Sequence, residues 1–248
     1  MGQNVAEVMC RVDDLAEIAR NTRLVRLRPE TGKPFSFRAG QYAKVGFEGV
    51  EPRYFSMASC PEDAAFEFHI RGNGTDPVGD FVLHELQRGT RAGVSGPFGE
   101  AWLREDHRGP ILAVAGGSGL APIKSIVETA LRRGMTQDIY LYAGARDEAD
   151  VYLEEHFIEL VRQYPRLHYI SVLSNPGLAV KAGRRLGLVS DAVAQDFRSL
   201  GEFKAHVAGP LPMVISTIAV LRALDMRDAN IHADAFEAAE LAVKKESR

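Results

Sequence analysis

Two short segments carry residues whose types and spacing could do chemistry. The first is the turn that follows Ile-Leu-Ala-Val-Ala at 111–115, where Gly116, Gly117, Ser118 and Gly119 lead into Ala121 and Pro122. Glycines here let the backbone approach a bound pyrophosphate. A proline in the first helical turn needs no amide hydrogen, and the helix N-terminus offers N–H donors and a partial positive charge to phosphate. Pro122 occupies the place of the third glycine of the common dinucleotide fingerprint, and no acidic residue ends the following strand. On its own, the turn reads equally as a simple strand-to-helix connection. The second segment is Arg53-Tyr54-Phe55-Ser56. An arginine can pair a phosphate through two parallel hydrogen bonds, an aromatic can lie on a planar ring, and a serine hydroxyl can bond a ring nitrogen. Taken alone, it also reads as a strand with an exposed arginine and a core aromatic.

These residues need elements to hold them. The 248 residues suffice for two domains of ordinary size. The first hundred contain short runs rich in β-branched and aromatic residues at 24–28, 41–47, 53–59, 66–72 and 91–96, separated by Gly/Pro clusters. One stretch, 78–88, has helical spacing. This predicts an antiparallel Greek-key β-barrel over 1–105. From about residue 106 the pattern changes: strands at 111–115, 139–145, 167–174, 203–210 and 230–236 alternate with helical stretches after the glycine turn, at 150–163 and at 213–224. That predicts an α/β domain with a parallel sheet over 106–248. The charged stretch 103–109 is the expected linker.

A net charge of −3 gives no pull toward nucleic acid or an anionic membrane, and no apolar run approaches the roughly 20 residues of a membrane span. The amino-terminal stretch does not read as a secretory signal, so a cytoplasmic address is expected. Cys10 and Cys60 are too few for an iron–sulfur cluster, which takes about four thiolates, and they lack the spacing of a zinc or CxxC site. Both are expected as small buried residues. No pair of histidines has metal-ligand spacing; His156 and His168 read as solvated or packing residues. Redox chemistry here would need an organic cofactor.

Taken in order, the segments resemble the ferredoxin–NADP reductase superfamily over nearly the whole chain. Arg53-Tyr54-Phe55-Ser56 resembles its Arg-x-Tyr-Ser flavin motif. The segment 68–71 falls where the family lines the isoalloxazine, and 77–81 where it meets the flavin pyrophosphate. The segment 96–99 resembles the barrel-closing signature, the turn at 116–122 the nicotinamide-nucleotide turn, 142–152 a Gly-x-Arg followed by Asp-x-Tyr, and 208–214 a Cys-Gly-Pro-Pro-Met segment. The look is that of the reductases of bacterial aromatic-ring dioxygenases and of free NAD(P)H:flavin reductases.

The resemblance implies FAD as cofactor, with FMN or a weakly held flavin as variants. Its implied contacts are Arg53 for the phosphate, Tyr54, Phe55, His69, Ile70 and Arg71 around the ring, and Val78, Gly79 and Asp80 at the pyrophosphate. Phe236 would lie near the ring, and Ser56, against flavin N5 where hydride arrives, would be the catalytic residue. For the nicotinamide nucleotide it implies Gly116, Gly117, Ser118, Gly119, Ala121, Pro122, Gly144, Arg146, Asp150 and Ser174, with Gly209, Pro210 and Met213 where nicotinamide meets flavin. Asn175 and Pro176 follow Ser174 where phosphate-specific relatives place arginine, which favours NADH over NADPH. Lys181, Arg184 and Arg185 form a basic turn read chiefly as solvated.

Departures from the pattern are Phe55 for tyrosine, Gly79 for a hydroxyl residue, Asp80 beside a pyrophosphate, and Ala208 for cysteine. They predict a flavin held more weakly than in a tight flavoprotein. The implied acceptor is a separate ferredoxin or oxygenase component. The alternatives are free flavin released in reduced form and, from another class, a non-catalytic module sensing flavin or nucleotide.

Overall fold

The structure, a computed structural model, describes residues 5–72, 74, 76–177 and 180–235. Strands β1 (Ala6–Ala19), β2 (Thr22–Pro29), β3 (Tyr42–Phe47), β4 (Val50–Ser56) and β5 (Phe66–Arg71) are followed by helix α1 (Pro77–His84) and strand β6 (Arg91–Phe98). Next come β7 (Ile111–Gly116), α2 (Leu120–Arg132), β8 (Ile139–Ala145), α3 (Glu154–Gln163), β9 (Leu167–Leu173) and β10 (Arg185–Leu186). The sequence continues through α4 (Val189–Asp196), β11 (Lys204–Gly209), α5 (Leu211–Ala223) and β12 (Ile231–Ala235).

The first six strands form one antiparallel sheet, in the order β4-β3-β6-β1-β2-β5. It curls until its outer strands approach, but they meet through one bridge, Met57 to Phe68, rather than a full ladder. The expected barrel is therefore a strongly curled sheet with an incomplete seam. Alternation drives the curl: Ala43, Val45 and Phe47 of β3 point into a core with Cys10, Val25, Leu27, Phe66, Phe68 and Val94. Strand β1 has register shifts between Val12 and Asp14 and between Glu17 and Ala19, which breaks the period-two pattern that would have announced it.

The second sheet has order β10-β9-β8-β7-β11-β12, with parallel pairings throughout. Strand β7 is buried along its whole length, as the unbroken apolar run requires. Ile111, Ala113 and Ala115 pack on the face of α2 and α3, while Leu112 and Val114 pack on the face of α4 and α5. The helix expected over 150–163 begins only at Glu154, because Leu153 takes a left-handed conformation with φ 57° behind a short 3-10 turn at 148–150. The helix expected over 78–88 ends at His84. The last strand runs from Ile231 to Ala235, and Phe236 lies outside the described residues.

Helix α2 binds the two sheets together. Its Ser125 hydroxyl donates to Ser59 O at 2.6 Å, and its buried Lys124 donates to Ala58 O at 3.2 Å. The same ammonium lies 3.1 Å from Glu67 of β5 and 3.2 Å from Glu128. Both free cysteines are buried, and burial pushes the thiols up to about 12 for Cys10 and about 11 for Cys60. Among the described residues no helix is long and apolar enough to cross a membrane.

Candidate functional site

The glycine turn gains its shape from what a side chain would strike. A Cβ on Gly119 would fall 2.2 Å from Ala208 O, so this residue lets the start of α2 pack on β11. A Cβ on Gly116 would meet Met213 Sδ at 2.4 Å, and Gly117 has a positive φ of 54°. Beside the turn, at the carboxyl ends of the parallel strands, lies a cleft of about 710 Å³. Neighbouring strands leave β7 in opposite directions, toward β8 and toward β11. Such a crevice is where open α/β sheets bind ligands, and its volume is that of a small-molecule site. Gly116, Gly117, Gly144, Arg146, Asp150, Ser174, Pro210 and Met213 line it.

A second cavity, of about 260 Å³, lies between the two sheets. Arg53, Tyr54, Phe55 and Ser56 come to it from β4, His69 and Arg71 from β5, and Ser118 and Ala121 from the glycine turn and α2. Tyr42, Asp76 and Asp234 complete the lining. The Tyr54 ring is held edge-on by Tyr42 and Phe98, with centroids 5.6 and 5.5 Å away. Arg71 lines both cavities, so the two are neighbours across this side chain. An aromatic face, a hydroxyl and a guanidinium within one cavity fit the ring, polar edge and phosphate of a flavin.

The electrostatics of the junction are strongly organised. Asp234 is largely buried, and burial pushes its carboxyl up to about 6, against the influence of the neighbouring Ser56 hydroxyl. His69 is fully buried; loss of solvent pushes its imidazole down, so the ring is neutral. Its Nε2 lies 3.4 Å from Glu67 and its Nδ1 3.3 Å from the Tyr152 hydroxyl, which also reaches Gly117 O at 3.2 Å. With Nε2–H donating to the carboxylate, Nδ1 carries no proton, and the single Tyr152 O–H serves either Nδ1 or Gly117 O, one at a time. Burial would raise Glu67, but His69, Lys124 and Arg26 outweigh it and hold the carboxyl below the ordinary range. On the side of the larger cleft, buried Asp150 gathers Arg146 at 3.2 Å, Arg71 at 3.5 Å and Arg20 at 4.0 Å.

Several expected site residues do not line either cavity. Ile70 and Val78 are buried in the core of the first sheet, and Gly79 packs on Gly72, where a Cβ would come within 2.8 Å of its Cα. Asp80 turns back to accept from Gly74 N at 3.2 Å. Gly119 and Gly209 serve close backbone approach, since a Cβ on Gly209 would fall 2.9 Å from Gly116 O, and Pro122 is buried within α2. The basic turn is not solvated at its centre. The Arg184 side chain is 4% exposed and pairs with both Glu148 and Glu154.

Three cavity residues were not singled out from sequence. Tyr42 has no motif of its own, Asp76 reads as an ordinary helix cap, and Asp234 shares a face with His232 by simple strand alternation. Only the pairing of β12 with β11 brings that face to Ser56.

A family model described as an oxidoreductase NAD-binding domain matches residues 113–218. The chain is 40% identical over 211 residues to the ferredoxin–NAD(P)+ reductase component of the naphthalene 1,2-dioxygenase system of Pseudomonas putida, a match spanning 85% of this chain and 64% of that protein. The chain thus spans less than two thirds of that relative's length. It is 34% identical over 213 residues to a probable flavin reductase of Vibrio harveyi, over 84% of this chain and 89% of that one. The cytochrome P450 reductase GcoB of Amycolatopsis superposes with a TM-score of 0.87 at 31% identity, covering 95% of this chain and 71% of the other.

Proposed function

The chain belongs to the ferredoxin–NADP reductase superfamily, and on that premise we propose that it is an NADH-dependent flavin oxidoreductase whose electrons pass to an acceptor outside the chain. The observation that carries this reading is Arg71, which lines both a polar-aromatic cavity suited to a flavin ring and a cleft of small-molecule size. A bound flavin supplies the chemistry, accepting a hydride and giving up electrons one at a time. The chain's own residues bind and orient. Tyr54 and Phe55 offer ring faces, Ser56 offers a hydroxyl beside Asp234, and the glycine turn with the start of α2 offers amides to a pyrophosphate.

NADH is the proposed donor because the cations that follow Ser174 in the chain, and Arg146 in the cleft itself, are already paired. Arg184 is buried between Glu148 and Glu154, Lys181 lies 3.9 Å from Glu154, and Arg146 is drawn to Asp150. A 2′-phosphate would meet a region rich in carboxylates.

The proposed acceptor is a separate ferredoxin or oxygenase component, by analogy with the dioxygenase reductases among the relatives. A second reading, release of the reduced flavin itself, is favoured by the contact of Asp76 with Arg53 and by the flavin reductases among the relatives. Steady-state oxidation of NADH and NADPH in the presence of FAD tests the donor: kcat/KM should favour NADH by about tenfold or more, equivalent to about 1.4 kcal/mol. Repeating it with excess riboflavin and with a one-electron protein acceptor separates the two acceptors.

A further inference from the structure

The phosphate-recognising corner of the first cavity already holds an anion. Asp76 stands immediately before α1, and its Oδ1 accepts from Val78 N at 3.2 Å as the helix N-cap. The same oxygen lies 3.4 Å from Arg53 Nη1. The Asp76 side chain is 17% exposed and that of Arg53 35%, and both line the cavity. A guanidinium and the amides of a helix N-terminus are the two devices by which proteins bind phosphate. Here one carboxylate engages both. One turn on, Asp80 is turned back to accept from Gly74 N and does not line the cavity, so Asp76 is the carboxylate that meets Arg53 there. The rest of the lining includes the rings of Tyr42, Tyr54 and Phe55 and the Ala121 methyl group, with the Asp234 carboxyl beside Ser56.

We propose that Asp76 is a built-in occupant of the phosphate corner, so that the chain takes its flavin as an exchangeable ligand recognised through ring and ribityl chain rather than through phosphate. The proposal rests on the flavin reading of this cavity and gives it a ligand class: riboflavin, FMN and FAD are all accepted. A ligand phosphate entering the corner must draw Arg53 away from Asp76 and then stay beside a like charge, which cancels most of what the guanidinium and the amides contribute. Riboflavin, having no phosphate, does not face that competition. Flavin exchange is also what release of a reduced flavin to another protein requires.

The test is equilibrium binding, read from quenching of flavin fluorescence, with the wild-type chain, Asp76→Asn and Asp76→Ser. Asparagine and serine are both good N-caps, so α1 keeps its start. In the wild type, riboflavin, FMN and FAD should bind within about threefold of one another. Asp76→Asn should tighten FMN and FAD by about tenfold and change riboflavin by less than about twofold, since only the phosphate meets the carboxylate. FAD binding wild type more than about tenfold tighter than riboflavin, or all three ligands unmoved by both substitutions, would overturn the proposal while leaving the flavin reading standing. Wild-type protein that binds none of the three would instead overturn the reading beneath it. If Asp76→Asn fails to fold, the wild-type riboflavin-to-FAD ratio and Asp76→Ser still decide.

Discussion

Ser56, the last residue of β4, and Asp234, on β12, come from opposite sheets and meet in one cavity, where burial pushes the carboxyl up while the serine hydroxyl pulls it down. The pair makes the site dependent on how the two sheets are held together, since neither element can supply it alone.

The Asp234 carboxyl gives a stability effect of defined sign. Folded, it keeps its proton up to about pH 6; unfolded, it releases it near the ordinary value of about 3.9. Between these values the folded chain binds more protons, so stability falls as pH rises through the window. Glu67 and Glu128 are held below the ordinary carboxylate range despite their burial, so their contribution is lost as pH falls, mostly below about pH 4.5. Urea unfolding at about pH 4.5 and 6.5 should show Asp234→Asn lacking about 1–2 kcal/mol of the wild-type decline. Equal pH dependence in the two proteins would mean that the carboxyl titrates normally.

Lys124 should be the most costly single charge to remove. Its ammonium sits between Glu67 and Glu128, all three side chains largely buried, with Arg26 and Arg132 supporting the carboxylates from the surface. Lys124→Ala leaves two buried carboxylates facing each other and should cost about 3–5 kcal/mol, the usual penalty for orphaning a buried ion-pair partner. Chemical denaturation measures it. Lys124→Ala combined with Glu67→Gln and Glu128→Gln should recover part of the loss.

Within the glycine turn, position decides tolerance. Gly119→Ala would drive a methyl group into the β11 backbone at Ala208, whereas Gly116→Ala meets the flexible Met213 side chain. The first should destabilise by about 3 kcal/mol or prevent folding, the second by about 1 kcal/mol, as overpacking does where neighbours can yield. Thermal melts of the two variants rank them directly.

The parts of this molecule that follow simple periodicity could be read from sequence. Buried β7, the glycine turn, the half-buried alternation of β3 and the Arg53–Ser56 strand all stand where the residue pattern puts them. Strand β1 could not be read, because two bulges shift its alternation midway and scatter charged residues along it. Asp76 was invisible for another reason: an aspartate before Pro77 is an ordinary cap signal, and only folding brings Arg53 against it. Arg184 looked solvated because its partners, Glu148 and Glu154, lie about 30 residues or more away in sequence. Pairing between residues remote in the chain is the information that local pattern lacks.

In the proposed reaction, the two cavities that share Arg71 bring a flavin and a nicotinamide nucleotide together. The most direct test is an anaerobic titration of the purified chain, mixed with equimolar FAD, by NADH, followed through the visible flavin absorbance. On this reading the flavin band bleaches within seconds at about one NADH per flavin, and Ser56→Ala slows the bleaching by about tenfold or more with little change in NADH affinity. A spectrum that NADH and NADPH both leave unchanged would contradict it.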